Sequence, residues 1–184
     1  MRNLISFAGV AAVAMAGTLV VSSMTSRAAE TSYAEDRAAI ENLQARYLFA
    51  MDFHDPDLYV TLFTEDGILD VGSGEIKGRK AIRDTVARMP DPGAGPVPAG
   101  LWPATGRHNI SNIAIRIDGN KAVGRAYWFH YSNNNPERRG MFDGYGHYED
   151  SLVKVNGQWL FSRRRIYNEQ RKEWAFPQRT NPAW

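Results

Sequence analysis

The chain has 184 residues, of which 43% are hydrophobic, and a formal net charge of +2 at pH 7. It contains no cysteine, which excludes disulfide frameworks, thiol nucleophiles and zinc–thiolate sites. Two of the 22 basic residues, Arg2 and Arg27, lie in an N-terminal segment with the features of an export signal; without it, 20 basic residues balance 20 acidic ones. The charge therefore predicts neither nucleic-acid binding nor attachment to an anionic membrane.

Residues 1–28 have the order of a cleavable secretory signal. Arg2 precedes an apolar run from Leu4 to Val21, and small polar residues follow that run. We predict cleavage after Ala28, with Ala29 as a near alternative. An uncleaved anchor is the competing interpretation, because the run is just long enough to span a thinned bilayer, although its many glycines and alanines lower its hydrophobicity. The sequence thus predicts an exported protein, periplasmic or secreted, with no membrane attachment after cleavage.

The rest of the chain is long enough for one ordinary hydrophobic core, at about 155 residues. We predict a linker at residues 29–35, a single domain at 36–168 and a C-terminal tail at 169–184. Apolar residues recur at helical spacing from Asp36 to Met51, and Asp36 is placed to cap the first turn. The next predicted elements are a second helix at 57–63 after Pro56, a turn at 64–67, a short strand at 68–71, a tight hairpin at 72–78, a third helix at 79–88 and a long irregular loop at 89–106.

Beyond this loop the hydrophobic period changes to two, which is typical of strands. The four predicted strands are His108–Ile117, Lys121–Asn133, Met141–Val155 and Trp159–Tyr167. Short hairpin signals separate most of them, at residues 118–120 and 156–157. Helices followed by an antiparallel meander indicate an α+β domain, with a curved sheet wrapped around the N-terminal helices. Small residues at Ala122, Gly124 and Ala126 share one strand face and predict an internal pocket there.

Motif absences narrow the chemistry to acid–base groups. The sequence lacks a glycine-rich phosphate loop, a G-x-S-x-G elbow and a His-Glu-x-x-His motif. Asp52 stands out because it ends an apolar run, where a surface helix would not normally place its only charge; the alternative is a solvated cap. His108 opens the first long strand, but its parity opposes that of Ile113, Ile115 and Ile117. Either a bulge lies between Asn112 and Ile113, or His108 faces away from the core.

The other histidines and one basic run have two interpretations each. His54 lies in a turn and is expected to be exposed, whereas His130 and His147 lie within strands and suit either the core or a pocket. No local spacing of these residues supports a metal site, so we predict none. Arg163-Arg164-Arg165 cannot all be buried, and at least one is expected to point inward against a carboxylate or a substrate oxygen; the alternative is a solvated basic edge.

From about Asp36 to Tyr167 the sequence resembles the nuclear-transport-factor-2-like (SnoaL-like) superfamily, in the branch of scytalone dehydratase, bile-acid dehydratase and hexachlorocyclohexane dehydrochlorinase. The resemblance implies a cone-shaped α+β fold and, for this branch, lyase activity. The residues that carry it are Tyr47, Met51 and Asp52, the segments 62–67 and 78–82, His108 with Asn112, Tyr148-Glu149-Asp150, and 156–159.

The resemblance also implies the site. In the lyases of this branch an Asp at the end of the first helix pairs with a His at the start of the strand after the helices, which gives Asp52 and His108. Tyr47 then lines the pocket, and Arg164 faces it from the last strand, or Arg165 if a bulge intervenes. The second catalytic His of scytalone dehydratase falls nearer Ser132 than His130. The predicted substrate-binding residues are Leu69, Trp128, His130, Tyr148 and Trp102.

The predicted function is a cofactor-independent lyase on a hydrophobic, ring-bearing small molecule. Asp52 would orient His108, His108 would act as the general base, and Tyr47 or Arg164 would meet charge developing on an oxygen. Water, a halide or an aldehyde such as formaldehyde are the candidate leaving groups. The alternatives are an isomerase or cyclase with the same base, or a non-catalytic ligand-binding or assembly domain. A homo-oligomer, trimer or dimer, is also expected.

Overall fold

A computed structural model describes residues 32–170 of the chain. The predicted signal segment, the first three residues of the predicted linker and nearly all of the C-terminal tail lie outside the described residues. The helices are α1 (Tyr33–Asp52), α2 (Pro56–Thr61) and α3 (Arg79–Ala87), and the strands are β1 (Phe63–Asp70), β2 (Glu75–Lys77), β3 (Gly106–Asp118), β4 (Lys121–Ser132), β5 (Met141–Val155) and β6 (Gln158–Asn168). No helix within 32–170 is long and apolar enough to cross a membrane.

Helix α1 begins three residues before its predicted start. Ser32 caps it in a capping box with Glu35, in which each side chain accepts from the backbone N–H of the other residue. The prediction that Asp36 caps the helix is wrong. Asp36 lies in the first turn, where it is buried. Its carboxylate accepts a hydrogen bond from Trp159 Nε1 at 2.9 Å and forms a salt bridge with Lys154 at 2.5 Å. The carboxylate therefore binds side chains of β5 and β6 instead of capping the helix.

The domain is of the α+β class, and the described strands form one curved sheet in the order β2-β1-β6-β5-β4-β3. All neighbours are antiparallel except β1 and β6, which run parallel. The predicted turn at 64–67 is wrong, because these residues lie inside β1. The register between β1 and β6 shifts between Phe63 and Ile68, so pairing with β6 absorbs the turn-forming Glu-Asp-Gly sequence as an irregularity.

One face of the sheet packs against α1, and we call it the inner face. Ala122, Gly124 and Ala126 lie on it along β4, followed by Trp128, as the alternation predicts. Gln44 of α1 reaches this small-residue surface: a Cβ at Gly124 would lie 3.5 Å from Gln44 Nε2. The narrow side chains therefore let the helix approach the sheet closely.

Two bulges decide which strand residues point inward. In β3 the register shifts between Ser111 and Ala114, and Asn112 has φ of 51°, so the predicted bulge is the alternative that the structure adopts. His108 consequently lies on the inner face before the bulge, and Ile115 lies on it after the bulge. A second register shift, in the pairing of β5 with β6 between Ser151 and Leu152, places the Arg164 side chain on the inner face.

Candidate active site

Asp52 and His108 form a hydrogen-bonded pair, which we call the dyad. Nδ1 of His108 lies 2.6 Å from Oδ1 of Asp52, and the backbone N–H of His108 donates to Oδ2 at 2.9 Å. The Asp52 side chain is 6% exposed and that of His108 is 21% exposed. Because the carboxylate accepts the Nδ1 proton, the neutral ring keeps its lone pair on Nε2, where it can accept a proton. The predicted pairing is present; the catalytic roles stay predictions.

Local structure explains why these two residues meet. Asp52 is the last residue of α1, and Phe53 follows as its C-cap. His108 is the third residue of β3, ahead of the bulge that returns the later isoleucines to the core. Since Asp52 binds both the ring and the backbone of His108, it fixes the position of the strand as well as the orientation of the imidazole.

A second carboxylate–imidazole pair lies beside the dyad. His130 is the direct cross-strand neighbour of His108, and the two ring centroids are 4.2 Å apart. Asp143 accepts from both His130 Nδ1 and the Ser132 hydroxyl, each at 2.5 Å. His130 thus occupies the place beside the dyad, whereas ungapped counting put the second-histidine position of scytalone dehydratase nearer Ser132. Asp143 and its role were absent from the sequence prediction.

Glycines make room for this arrangement. A Cβ at Gly106 would lie 2.3 Å from His130 Nε2, so any other residue there would displace the imidazole. A Cβ at Gly144 would lie 3.4 Å from the indole of Trp128, and one at Gly146 would lie 1.8 Å from the Tyr167 carbonyl oxygen. That same carbonyl accepts from Trp128 Nε1 at 3.1 Å. Trp128 is therefore a fixed wall of the site, 5.9 Å from the His108 ring.

Three side chains of the types that bind metal ions lie close together in the site. One donor atom from each of Asp52, His108 and His130 lies within 4.8 Å of the others, a spacing at which three groups can share a metal ion. Both oxygens of Asp52 already bind His108, and Nδ1 of His130 already binds Asp143. An ion that used Asp52 would have to displace those bonds, so the donor set fits proton transfer better.

Tyr47 and Arg164, predicted as catalytic donors, are both completely buried. The Tyr59 hydroxyl donates to the Tyr47 hydroxyl at 2.7 Å, and Arg164 forms a two-pronged ion pair with Asp150 at 2.8 and 2.7 Å. Each is 0% exposed, so neither can touch a substrate in this conformation. Of the three adjacent arginines it is Arg164 that faces inward; Arg163 and Arg165 pair with Asp70.

Arg164 lies in an aromatic cage. Its guanidinium carbon is 4.1 Å from the Tyr47 and Phe161 ring centroids and 4.2 Å from that of Tyr148. Burial opposes the charged form of Arg164, but the Asp150 carboxylate outweighs it and raises the guanidinium pKa above its ordinary value. The side chain is therefore a permanent positive charge beneath the aromatic rings of the site.

The remaining predicted substrate-binding residues differ in placement. Leu69 and Tyr148 are buried on the inner face, at 0% and 1% exposure, with Leu69 directly opposite Arg164. Trp102 is 82% exposed on the loop between α3 and β3, so the fold does not build it into the buried part of the site.

His54, expected to be exposed, is half-buried in the turn after α1. His147 binds Glu169 at 2.9 Å and stacks on Tyr167.

The buried tyrosines predict a steep loss of stability at alkaline pH. Burial is the main cause that raises the pKa of Tyr47, Tyr59 and Tyr148. Above about pH 10 the unfolded chain releases these protons and the folded chain keeps them, so stability falls as pH rises. We expect about 1.4 kcal/mol per pH unit for each tyrosine, measured by urea unfolding together with phenolate absorbance. Tyr59→Phe should remove one share of the slope. The chain has five other tyrosines, so phenolate absorbance above the contribution of five tyrosines before unfolding would contradict the prediction.

The comparisons with known proteins identify the fold. The model of the SnoaL-like domain family matches residues 32–165. A Mycobacterium tuberculosis protein of unknown function is 27% identical, with a TM-score of 0.61 and coverage of 73% of this chain and 72% of that one. A Nostoc punctiforme protein of unknown function with a cystatin-like fold is also 27% identical, with a TM-score of 0.61 and coverage of 74% and 92%.

A Novosphingobium aromaticivorans protein provisionally described as a scytalone dehydratase is 24% identical, with a TM-score of 0.59 and coverage of 78% and 90%; this similarity shows the fold alone. No protein with a curated description matches the sequence. The family match spans both residues of the dyad and most of the described chain. The chain belongs to the SnoaL-like family.

Proposed function

We propose that the protein is a cofactor-independent lyase in which the dyad removes a proton from a carbon of a hydrophobic small molecule. The observation that carries the proposal is the pair of hydrogen bonds that the ring and the backbone of His108 donate to the Asp52 carboxylate, at 2.6 and 2.9 Å, which leave Nε2 to accept a proton. A positioned base of this kind needs no cofactor, and the negative charge of Asp52 stabilises the imidazolium that forms.

His130 is the group best placed to complete the reaction. Its ring lies 4.2 Å from that of His108, and Asp143 holds its Nδ1. In the proposed step, Nε2 of His108 takes the proton, the C–H electron pair forms a carbon–carbon double bond, and the leaving group departs with its bonding pair. A protonated His130 then supplies the proton for a departing hydroxide, which leaves as water. Departure of a halide needs no such proton.

A substrate screen tests this proposal. Cyclic alcohols, cyclic halides and aryl-propanediols are incubated with the wild type and with His108→Ala, and products are followed by mass spectrometry. We expect at least one compound to lose water or halide by this step. In an aryl-propanediol, His108 would instead take the proton of the terminal hydroxyl group, the pair of the broken carbon–carbon bond would form the double bond, and an aldehyde would leave together with the other hydroxyl group, which departs as water. We expect His108→Ala to slow the loss by about 10²-fold or more.

A matched control is available on the opposite sheet face. His147 is also a partly buried histidine with a carboxylate on Nδ1, at 2.9 Å from Glu169, but it lies outside the site. His147→Ala should therefore keep wild-type turnover. Unchanged turnover in His108→Ala would remove the dyad from the mechanism, and products with the mass of the substrate would indicate an isomerase instead.

A further inference from the structure

A groove beside α1 lies outside the active site. It has a volume of about 400 Å³ and is bounded by α1, by residues 61–62 where α2 meets β1, and by residues 157–160 at the turn between β5 and β6. None of its lining residues belongs to the dyad or to the side chains around the dyad. Cavities of this volume are typical of sites for small molecules, so the groove is a second candidate binding site.

Helix α1 forms one wall of the groove. Its four lining residues recur at helical spacing and are Ala39, Asn42, Leu43 and Arg46. The Arg46 side chain is exposed, and it forms no hydrogen bond or ion pair within residues 32–170. Arg37, on the same helix, pairs with Glu41 at 2.8 Å. Arg46 is therefore an arginine whose charge is available to a ligand.

The floor of the groove is held by fixed contacts. Trp159 lies in it, is buried, and donates through Nε1 to Asp36 at 2.9 Å, while Lys154 Nζ lies 5.3 Å from its ring centroid. The backbone N–H of Phe161 donates to the Leu62 carbonyl at 2.9 Å, which joins β6 to the start of β1. The groove is therefore preformed, and a ligand would spend little binding free energy on ordering it.

The charge of the lining favours an anion. Among the described residues that line the groove, Arg46 carries the one formal charge, and none is an Asp or a Glu. Asn42 and Gln158 add two side-chain amides that make no hydrogen bond in the part of the chain that the structure describes. A guanidinium offers two parallel N–H groups that match the two oxygens of a carboxylate. One positive charge and neutral donors suit a monoanion better than a phosphate dianion.

We propose that this groove binds a small organic monocarboxylate. The carboxylate pairs with Arg46, the amides of Asn42 and Gln158 donate to its oxygens, and the apolar body of the ligand lies against Leu43 and Trp159. The site is distinct from the dyad, and the proposal does not depend on the proposed lyase activity.

Titration of ¹⁵N-labelled protein with benzoate and with benzamide, its neutral counterpart of the same shape, tests the proposal. The indole N–H signal of Trp159 reports on the groove, and that of Trp128 reports on the active site. We expect benzoate to shift the Trp159 signal with a Kd of about 1–10 mM, as befits a small ligand in a half-open groove. Benzamide and inorganic phosphate should each bind about tenfold more weakly or worse.

Two variants locate the binding. Arg46→Gln should weaken benzoate binding by about tenfold or more and leave the remaining NMR signals in place, because the side chain is exposed. Arg88→Gln is the matched control: Arg88 is an exposed arginine at the C-cap of α3, outside the groove, and its replacement should keep the Kd.

Several outcomes would overturn the proposal. A Trp159 signal that benzoate does not move, or benzoate binding that survives in Arg46→Gln, would show that the groove is not a carboxylate site. Benzamide or phosphate binding as tight as that of benzoate would contradict the ligand class. A shift confined to Trp128 would place the carboxylate in the active site instead.

Discussion

Asp52→Asn is expected to lower kcat/KM by about 10²–10⁴-fold on any substrate that the dyad processes. The asparagine keeps the shape and one acceptor oxygen, but its NH₂ group cannot accept from His108. One of the two bonds, at 2.6 Å to the ring and 2.9 Å to the backbone, is therefore lost. The negative charge that stabilises the imidazolium is lost as well, so the free energy of the transition state rises more than that of the ground state.

The measurement pairs kinetics with the state of the ring. Steady-state rates on a substrate from the screen give the fold-change, and ¹⁵N NMR of the imidazole gives the tautomer of His108. We expect the Nδ1–H tautomer to dominate in the wild type and to lose that dominance in Asp52→Asn. Glu169→Gln is the matched control, since Glu169 binds His147 outside the site, and it should change neither quantity. Turnover within tenfold of the wild type in Asp52→Asn would contradict the role of the carboxylate.

Periodicity predicts most of the fold because most elements bury one face. The strand β5 begins and ends where the sequence pattern places it, at Met141 and Val155, because the connection that ends at Gly140 and the Asn156-Gly157 turn bound it. The start of α1 was missed because Ser32 and Glu35 form a local capping box, while Asp36 is used by Trp159 and Lys154 far along the chain. Sequence proximity cannot reveal that use.

The site shows the same limit. His108 has the wrong parity for the core until a bulge at Asn112 corrects it, and the sequence predicts such a bulge only as one of two alternatives. Asp143 carries no signal of its own, because its partner His130 lies on another strand and the register shifts just beside them. The complete burial of Tyr47 depends on packing depth, which a one-dimensional pattern does not encode.

Asp150→Asn is expected to destabilise the protein by about 3–5 kcal/mol, or to prevent folding, because it leaves Arg164 charged and buried without its ion partner. Both Arg164 and Asp150 side chains are 0% exposed, and their oxygens and nitrogens meet at 2.7 and 2.8 Å. Arg164 Nη1 already has no hydrogen-bond partner among the described residues, so the guanidinium has no other anion to use. The free energy of urea unfolding, followed by tryptophan fluorescence, measures the loss.

A double replacement separates the cost of burying a charge from the value of the pair. Asp150→Leu combined with Arg164→Met removes both charges and keeps apolar volume, so we expect it to recover most of the stability lost by Asp150→Asn. Arg163→Met is the surface comparison: its side chain is 34% exposed beside Asp70 and Glu75, and its loss should cost less than about 1 kcal/mol. If the free energy of unfolding of Asp150→Asn lies within about 1 kcal/mol of that of the wild type, the buried ion pair does not stabilise the inner face, and another interaction compensates the charge of Arg164.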